Sequence, residues 1–182
     1  MSLIKRFFWH LFGKRSWRKK NGVIYFTVTS DGTTGEEWIK RLEKGGYNVG
    51  FYAKQLLNSK DFRPTKGVKY EIAVLKGVLF PDDDRVTKKI RAEADKRKLT
   101  TPNAEVACFI REMFTDKEIK AMGLTWIIVM HEPIKDSRGV LHLLSVDRDD
   151  LGQWLRTYYG SPDRQWDRVS GFAFVSQVNL QS

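Results

Sequence analysis

Two apolar runs constrain the fold of this chain more than any other feature of its sequence. Residues 124–130, LTWIIVM, hold six apolar residues interrupted only by Thr125, and residues 72–75, IAVL, are apolar throughout. A run without polar alternation is typical of a strand that is covered on both faces. The sequence therefore predicts a sheet with helices packed against it, in an α+β fold.

Capping and turn residues divide the rest of the chain into further elements. Thr33, Thr34 and Thr115 each precede a glutamate by three residues, which is the spacing of a capping box at a helix start. The sequence predicts a mixed sheet of about five strands, at 22–30, 70–80, 124–131, 141–146 and 171–178. The predicted helices, all within a single domain that covers residues 21–182, are 34–44, 49–58, 83–98, 101–113, 116–122 and 151–159.

The predicted helix 83–98 is rich in charges of both signs. Lys89, Arg91 and Glu93 each have an oppositely charged residue four positions later, as ion pairs along one helix face require. This spacing is typical of a helix whose charged face meets solvent.

Length and composition favour one globular domain. The chain has 182 residues, 41% of them apolar, which is enough to bury a core. The single cysteine, Cys108, lies among apolar neighbours, excludes a disulfide within the chain and predicts a buried thiol. No segment approaches the roughly 18 uncharged apolar residues that a bilayer span needs, and the start lacks a signal-peptide cleavage pattern. We therefore expect a cytoplasmic protein.

Positive charge is concentrated at the start of the chain. Residues 1–20 form a basic arm with no acidic side chain and seven cationic ones: Lys5, Arg6, Lys14, Arg15, Arg18, Lys19 and Lys20. The other 162 residues hold 25 Lys and Arg against 22 Asp and Glu, so the domain is nearly neutral. The arm is therefore the candidate contact for a polyanion.

The arm also has an apolar side. On a helix, six apolar residues of segment 3–12 fall on one half of the surface, opposite Arg6, Trp9 and His10, which predicts a basic amphipathic N-terminal helix. These six are Leu3, Ile4, Phe7, Phe8, Leu11 and Phe12. That half fits a protein partner, including the domain itself or a second copy of the chain, and it also fits an anionic membrane surface. Trp17 lies among the cations of residues 14–20, as base stacking between phosphate contacts requires, and this favours nucleic acid slightly.

A second aromatic and basic stretch lies at residues 156–168. It interleaves three arginines with three aromatic residues: Arg156, Arg164 and Arg168 with Tyr158, Tyr159 and Trp166. This composition suits base stacking combined with phosphate neutralisation. The alternative is that the aromatic side chains anchor a loop to the core.

A cluster of histidines and carboxylates flanks the predicted hairpin at 124–150. If its strands pair, four candidate ligands for a divalent metal lie near its ends: His131, Glu132, His142 and Asp147. The alternative is that these are ordinary polar residues beside a turn. The cluster makes a metal-dependent hydrolase the second candidate function.

The segment that follows the first predicted strand resembles the opening motif of haloacid-dehalogenase-type phosphatases. Asp31, Gly32 and Thr33 match that motif, but Thr29 stands where the family has its aspartate nucleophile. A threonine does not form the acyl-phosphate that this chemistry requires. A strand, a glycine turn and a capped helix account for the same residues without catalysis.

The sequence thus favours a non-enzymatic binding protein whose basic arm engages a polyanion, with nucleic acid ahead of a membrane surface. It predicts no cofactor, and it leaves open whether the protein is an enzyme.

Overall fold

A nine-stranded mixed sheet is the centre of the fold in the computed structural model, which describes residues 17–180. The strand order is β1-β2-β4-β9-β5-β7-β8-β3, with β6 paired beside β7. The α+β class is confirmed, and the sheet is larger than the five strands predicted. The predicted helix at 3–12 lies outside the described residues. The strands are β1 Arg18–Lys20, β2 Val23–Asp31, β3 Asn48–Val49, β4 Lys66–Lys76, β5 Trp126–Val129, β6 Ile134–Lys135, β7 Leu141–Asp149, β8 Gly152–Tyr159 and β9 Ser170–Leu180.

Five α-helices cover the two faces of the sheet unequally: α1 Gly35–Lys44, α2 Phe51–Leu57, α3 Thr87–Lys96, α4 Val106–Met113 and α5 Asp116–Ala121. Four of them bury side chains such as Trp38, Leu56 and Ile119 in one core cluster, whereas α3 packs Ile90 and Ala94 into a second cluster on the opposite face. None of the helices within residues 17–180 has the length and apolar character to cross a bilayer.

The apolar runs form interior strands, as predicted. β5 lies between β9 and β7, running parallel to β9 and antiparallel to β7, where Ile127 is opposite Val146. β9, the last strand along the described chain, lies between β4 and β5. Ile127 joins one core cluster and Ile128 the other, so β5 is covered on both faces.

The predicted helix at 151–159 is wrong, because these residues form β8 in a hairpin with β7. The turn is closed by Asp149, whose carboxylate accepts hydrogen bonds from the Leu151 backbone N–H and the Trp154 indole N–H. Gly152 follows with φ of 132°, a conformation that favours glycine. The turn and the full pairing with β7 outweigh the local helical preference.

Both predicted capping sites are occupied. At α1 the structure selects Thr34 with Glu37 of the two alternatives, and α5 begins with Thr115 and Glu118. Asp31, from the phosphatase-like motif, accepts hydrogen bonds from Thr33 and Arg41, so this loop ties β2 to α1. Cys108 is buried, as predicted.

The helix predicted at 83–98 is shorter and less solvated than expected. It starts at Thr87, after a 3-10 turn at Asp82–Asp84. Of the three predicted ion pairs, the one between Glu93 and Arg97 is present at 2.7 Å. Arg91 instead turns inward and donates hydrogen bonds to backbone carbonyls beyond β5.

Candidate functional site

The described part of the basic arm forms one edge of the sheet. Strand β1 pairs antiparallel with residues 23–25 of β2. Asn21 and Gly22 join the two strands with φ of 50° and 78°, the left-handed conformation that a tight two-residue hairpin turn requires. Four other cations predicted in the arm lie outside the described residues: Lys5, Arg6, Lys14 and Arg15.

Two predicted contact residues of the arm are engaged by the domain itself. Trp17 is partly buried against the core cluster on the α1 side of the sheet. Arg18 pairs with Glu71 at 2.6 Å, and its guanidinium lies 4.4 Å from the centre of the Tyr25 ring. Neither side chain is therefore fully open to an outside ligand.

Lys19, Lys20 and Lys76 form what we call the cationic edge. Lys19 and Lys20 are exposed, and Lys76 ends β4, two strands further into the sheet. Burial lowers the pKa of Lys76, and the nearby charge of Lys19 lowers it further. The ion pairs among residues 17–180 include none with these three lysines. Lys76 was not a sequence candidate, because only strand pairing brings it near β1.

Arg156, predicted to contact phosphate, is neutralised within the protein. Its guanidinium pairs with Asp147 at 3.2 Å and also with Asp149. It lies 4.2 Å from the centre of the Trp154 ring. Two carboxylates thus compensate one cation, which leaves this position little attraction for an anion.

The remaining residues of 156–168 divide between the two faces of the sheet. On the α3 side, Arg164 lies over the rings of Tyr158 and Trp166, at 5.2 Å and 4.9 Å. Trp166 is buried, and its indole N–H donates to the Thr87 hydroxyl at 2.9 Å. Tyr159 stacks on His142 instead and is 53% exposed. The segment therefore follows the core-anchoring alternative at Trp166. Arg168 is exposed near Asp82.

His131, the first candidate metal ligand, has both ring nitrogens committed to the backbone. Nδ1 lies 2.6 Å from the Glu132 carbonyl oxygen, which only accepts, so Nδ1 carries the proton. Nε2 accepts a hydrogen bond from the Leu144 backbone N–H at 2.9 Å. Burial lowers the pKa of His131 to about 4, so the ring is neutral at physiological pH. No lone pair of the imidazole remains for a metal.

His142 has a different set of neighbours. Its Nε2 donates to the Asp136 carboxylate at 3.1 Å, and its ring lies between those of Tyr52 and Tyr159. Burial favours the neutral acid of Asp136, but hydrogen bonds from Arg138 and the Val140 N–H outweigh it and hold the pKa of Asp136 well below its usual range. The buried Asp136 carboxylate thus holds the turn before β7 through its bonds to Arg138, the Val140 N–H and His142.

The four candidate metal ligands do not come together. His131 and His142 contact different partners, Asp147 pairs with Arg156, and Glu132 is exposed. Within residues 17–180, no group of three or more His, Cys, Asp or Glu side chains is arranged to hold a metal ion.

Comparison with known proteins does not assign this chain to a family or a function. Scans against protein-family models, curated proteins and solved structures gave no match to this chain.

Proposed function

We propose that this is a non-enzymatic binding protein that engages a polyanion, nucleic acid first, through its cationic edge and the basic arm that leads into it. The observation that carries the proposal is the closeness of Lys19 to Lys76, with no ion pair to a carboxylate at either lysine among the described residues. Other cations of the domain, such as Arg18 and Arg156, are neutralised by Glu71 and by Asp147 with Asp149.

A phosphate backbone would relieve the repulsion between these lysines. Each contact between a lysine and a phosphate also releases a condensed counterion, so affinity falls steeply as salt rises. The edge continues directly into residues 1–16, which carry four more cations and no acid. The whole N-terminal region can therefore follow a charged polymer over several phosphates.

The geometry of β1 favours a polymer over a flat membrane. Consecutive side chains of a strand point to opposite faces of the sheet, so Lys19 and Lys20 extend in opposite directions. A planar bilayer surface meets one of them at a time, whereas a flexible single strand of nucleic acid passes along the edge and reaches both. Because Trp17 is partly buried, its ring is not fully free either to insert into a membrane interface or to stack on a base, so the preference for nucleic acid depends on the lysines.

A charge-reversal variant tests the proposal. Binding can be measured by fluorescence anisotropy of a labelled 20-nucleotide single-stranded RNA or DNA. The logarithm of the association constant should fall linearly with the logarithm of the salt concentration. The double variant Lys19→Glu with Lys20→Glu should bind at least about tenfold more weakly and show a smaller salt slope.

The matched control changes two exposed lysines far from β1, Lys60→Glu with Lys96→Glu, which gives the same net charge. If the control weakens binding equally, general charge and not the cationic edge is responsible. Binding to phosphatidylserine vesicles without binding to RNA or DNA would instead support the membrane alternative and contradict the proposal.

A further inference from the structure

A cleft of about 450 Å³ lies between α3 and the segments that follow β5 and β8. Lys88, Arg91 and Asp95 line it from α3, and Glu132 and Pro162 line it from the opposite side. Its volume is in the range of small-molecule sites. The cleft is separate from Lys19 and Lys20, because β1 lies three strand steps from β9, the strand that supplies Phe174 to the cleft.

Arg91 is held in a fixed position at this cleft. Its two terminal nitrogens donate hydrogen bonds to the carbonyl oxygens of Met130 and His131, both at 2.9 Å. The Nε–H has no protein partner among the described residues, and it is not one of the buried unpaired atoms, so solvent reaches it. A guanidinium fixed in this way is a preorganised donor for an anionic group.

Two carboxylates face the same cleft without ion pairs of their own. Glu132 and Asp95 both act on Arg91 electrostatically, yet neither comes within ion-pair distance of a cation in residues 17–180. Lys88, the other cation of the cleft, is already paired with Asp163 at 2.6 Å. The unpaired groups of the cleft are thus one fixed cation and two carboxylates.

This arrangement selects for a ligand with both signs of charge. A simple anion attracted by Arg91 meets the two carboxylates, and a simple cation meets Arg91. A molecule whose carboxylate and ammonium groups are separated satisfies both sides at once. Phe174, Ala92 and Pro162 also line the cleft and offer apolar contact to the part between the charges.

We propose that this cleft binds a small zwitterion of the class of amino acids and short peptides. The ligand's carboxylate lies at Arg91, and its ammonium group lies at Glu132. The cleft volume of about 450 Å³ leaves room for a dipeptide.

Calorimetric titration of the full chain with a matched set of compounds tests this proposal. The dipeptide alanyl-leucine should bind, and its N-acetyl derivative and its C-terminal amide, each lacking one charge, should bind at least about tenfold more weakly. Inorganic phosphate should not compete. Absence of alanyl-leucine binding at millimolar concentration, equal binding of the three compounds, or competition by phosphate would each overturn the assignment.

Two variants locate each charge of the ligand. Glu132→Gln, at an exposed position, should weaken alanyl-leucine and its amide at least about tenfold and should not weaken the N-acetyl derivative, which then meets one carboxylate fewer. Arg91→Gln should weaken the two compounds that keep a carboxylate and should not weaken the amide, whose ammonium group then no longer meets the Arg91 charge. The control is Arg97→Gln, just after α3 and paired with Glu93 outside the cleft. An equal loss in the control would contradict the proposal.

Discussion

At His131, two backbone groups decide where the proton lies. The Glu132 carbonyl requires a proton on Nδ1, and the Leu144 N–H requires a lone pair on Nε2. A second proton would break the bond to Leu144 and leave a charge inside the core. The His131 ring, a candidate metal ligand on the sequence alone, is therefore neutral and links the segment after β5 to β7 by hydrogen bonds.

The low pKa of His131 predicts that the unfolding free energy falls at acidic pH. Its pKa is about 4 in the folded protein, below the ordinary 6.5, so the unfolded chain binds more protons between these values. Stability from this group is complete above pH 6.5 and is lost as the pH falls toward 4, by at most about 3 kcal/mol. Urea denaturation should show this decline, and it should be shallower in His131→Gln.

An NMR titration checks the same point without a variant. The His131 ring should stay neutral at pH 6, with the proton on Nδ1. A His131 signal that titrates near 6.5 in the folded protein would contradict the buried, neutral state of the ring.

The protonation of Glu105 should make the unfolding free energy depend on pH with the opposite sign to that of His131. Its carboxylate is buried and accepts hydrogen bonds from the Thr65 N–H and hydroxyl, with no cation paired to it in the described residues. Burial raises its pKa, so the folded protein holds the proton more strongly and stability falls as pH rises through that window. The unfolding free energy of the native chain minus that of Glu105→Gln should therefore be larger at pH 4.5 than at pH 7.5. A difference that grows with pH would contradict this account.

At the level of elements, α1 and α2 approach each other at Gly35. A Cβ added there would lie 1.7 Å from the Leu57 carbonyl oxygen, a backbone atom at the end of α2. Gly35→Ala should therefore force the two helices apart and cost at least about 2 kcal/mol of unfolding free energy in urea denaturation.

Gly50→Ala is the matched control, because Gly50 also lies at the start of a helix and its added Cβ would meet ordinary contacts at 3.5 Å. It should change stability by less than about 0.5 kcal/mol. Equal effects of the two substitutions would show that the contact between the helices is not the cause.

The elements predicted correctly are those whose signals are local. Thr34 and Thr115 cap their helices because the partner glutamate is three residues away. Strand β8 was mistaken for a helix because its state depends on pairing with β7, and short segments do not reveal pairing. The dipeptide Asn21-Gly22 is a strong signal for a two-residue hairpin turn and could have predicted the β1 hairpin. This signal was missed because residues 1–20 were interpreted as an arm on the basis of their charge.

The candidate sites were less predictable than the elements. Arg91 has a carboxylate four residues later, Asp95, and so resembles a solvent-facing partner in an ion pair. Its real partners are the carbonyls of Met130 and His131, about forty positions away along the chain. Such contacts arise from packing α3 against the sheet, and no local spacing encodes them.

For the whole molecule, the sheet separates the two proposed sites. Lys19 and Lys20 lie on β1, three strand steps or about 14 Å from β9, which supplies Phe174 to the cleft. Sites this far apart, with no shared partner, should act independently. Lys19→Glu with Lys20→Glu should therefore leave alanyl-leucine affinity unchanged within twofold by calorimetry, and saturating dipeptide should not alter the anisotropy titration. Mutual interference would show that the sites overlap or communicate.

The position of β9 governs how the chain can assemble during its synthesis. This strand is the seam between β4, from the first half of the chain, and β5, from the second. Until residues 170–180 have left the ribosome, β4 and β5 each present an unpaired backbone edge, and the described strands of the two halves are joined only by the short pairing of β3 with β8. The strand edges of β4 and β5 are thus open to misassociation until β9 emerges, and a chaperone that shields strand edges acts in that interval.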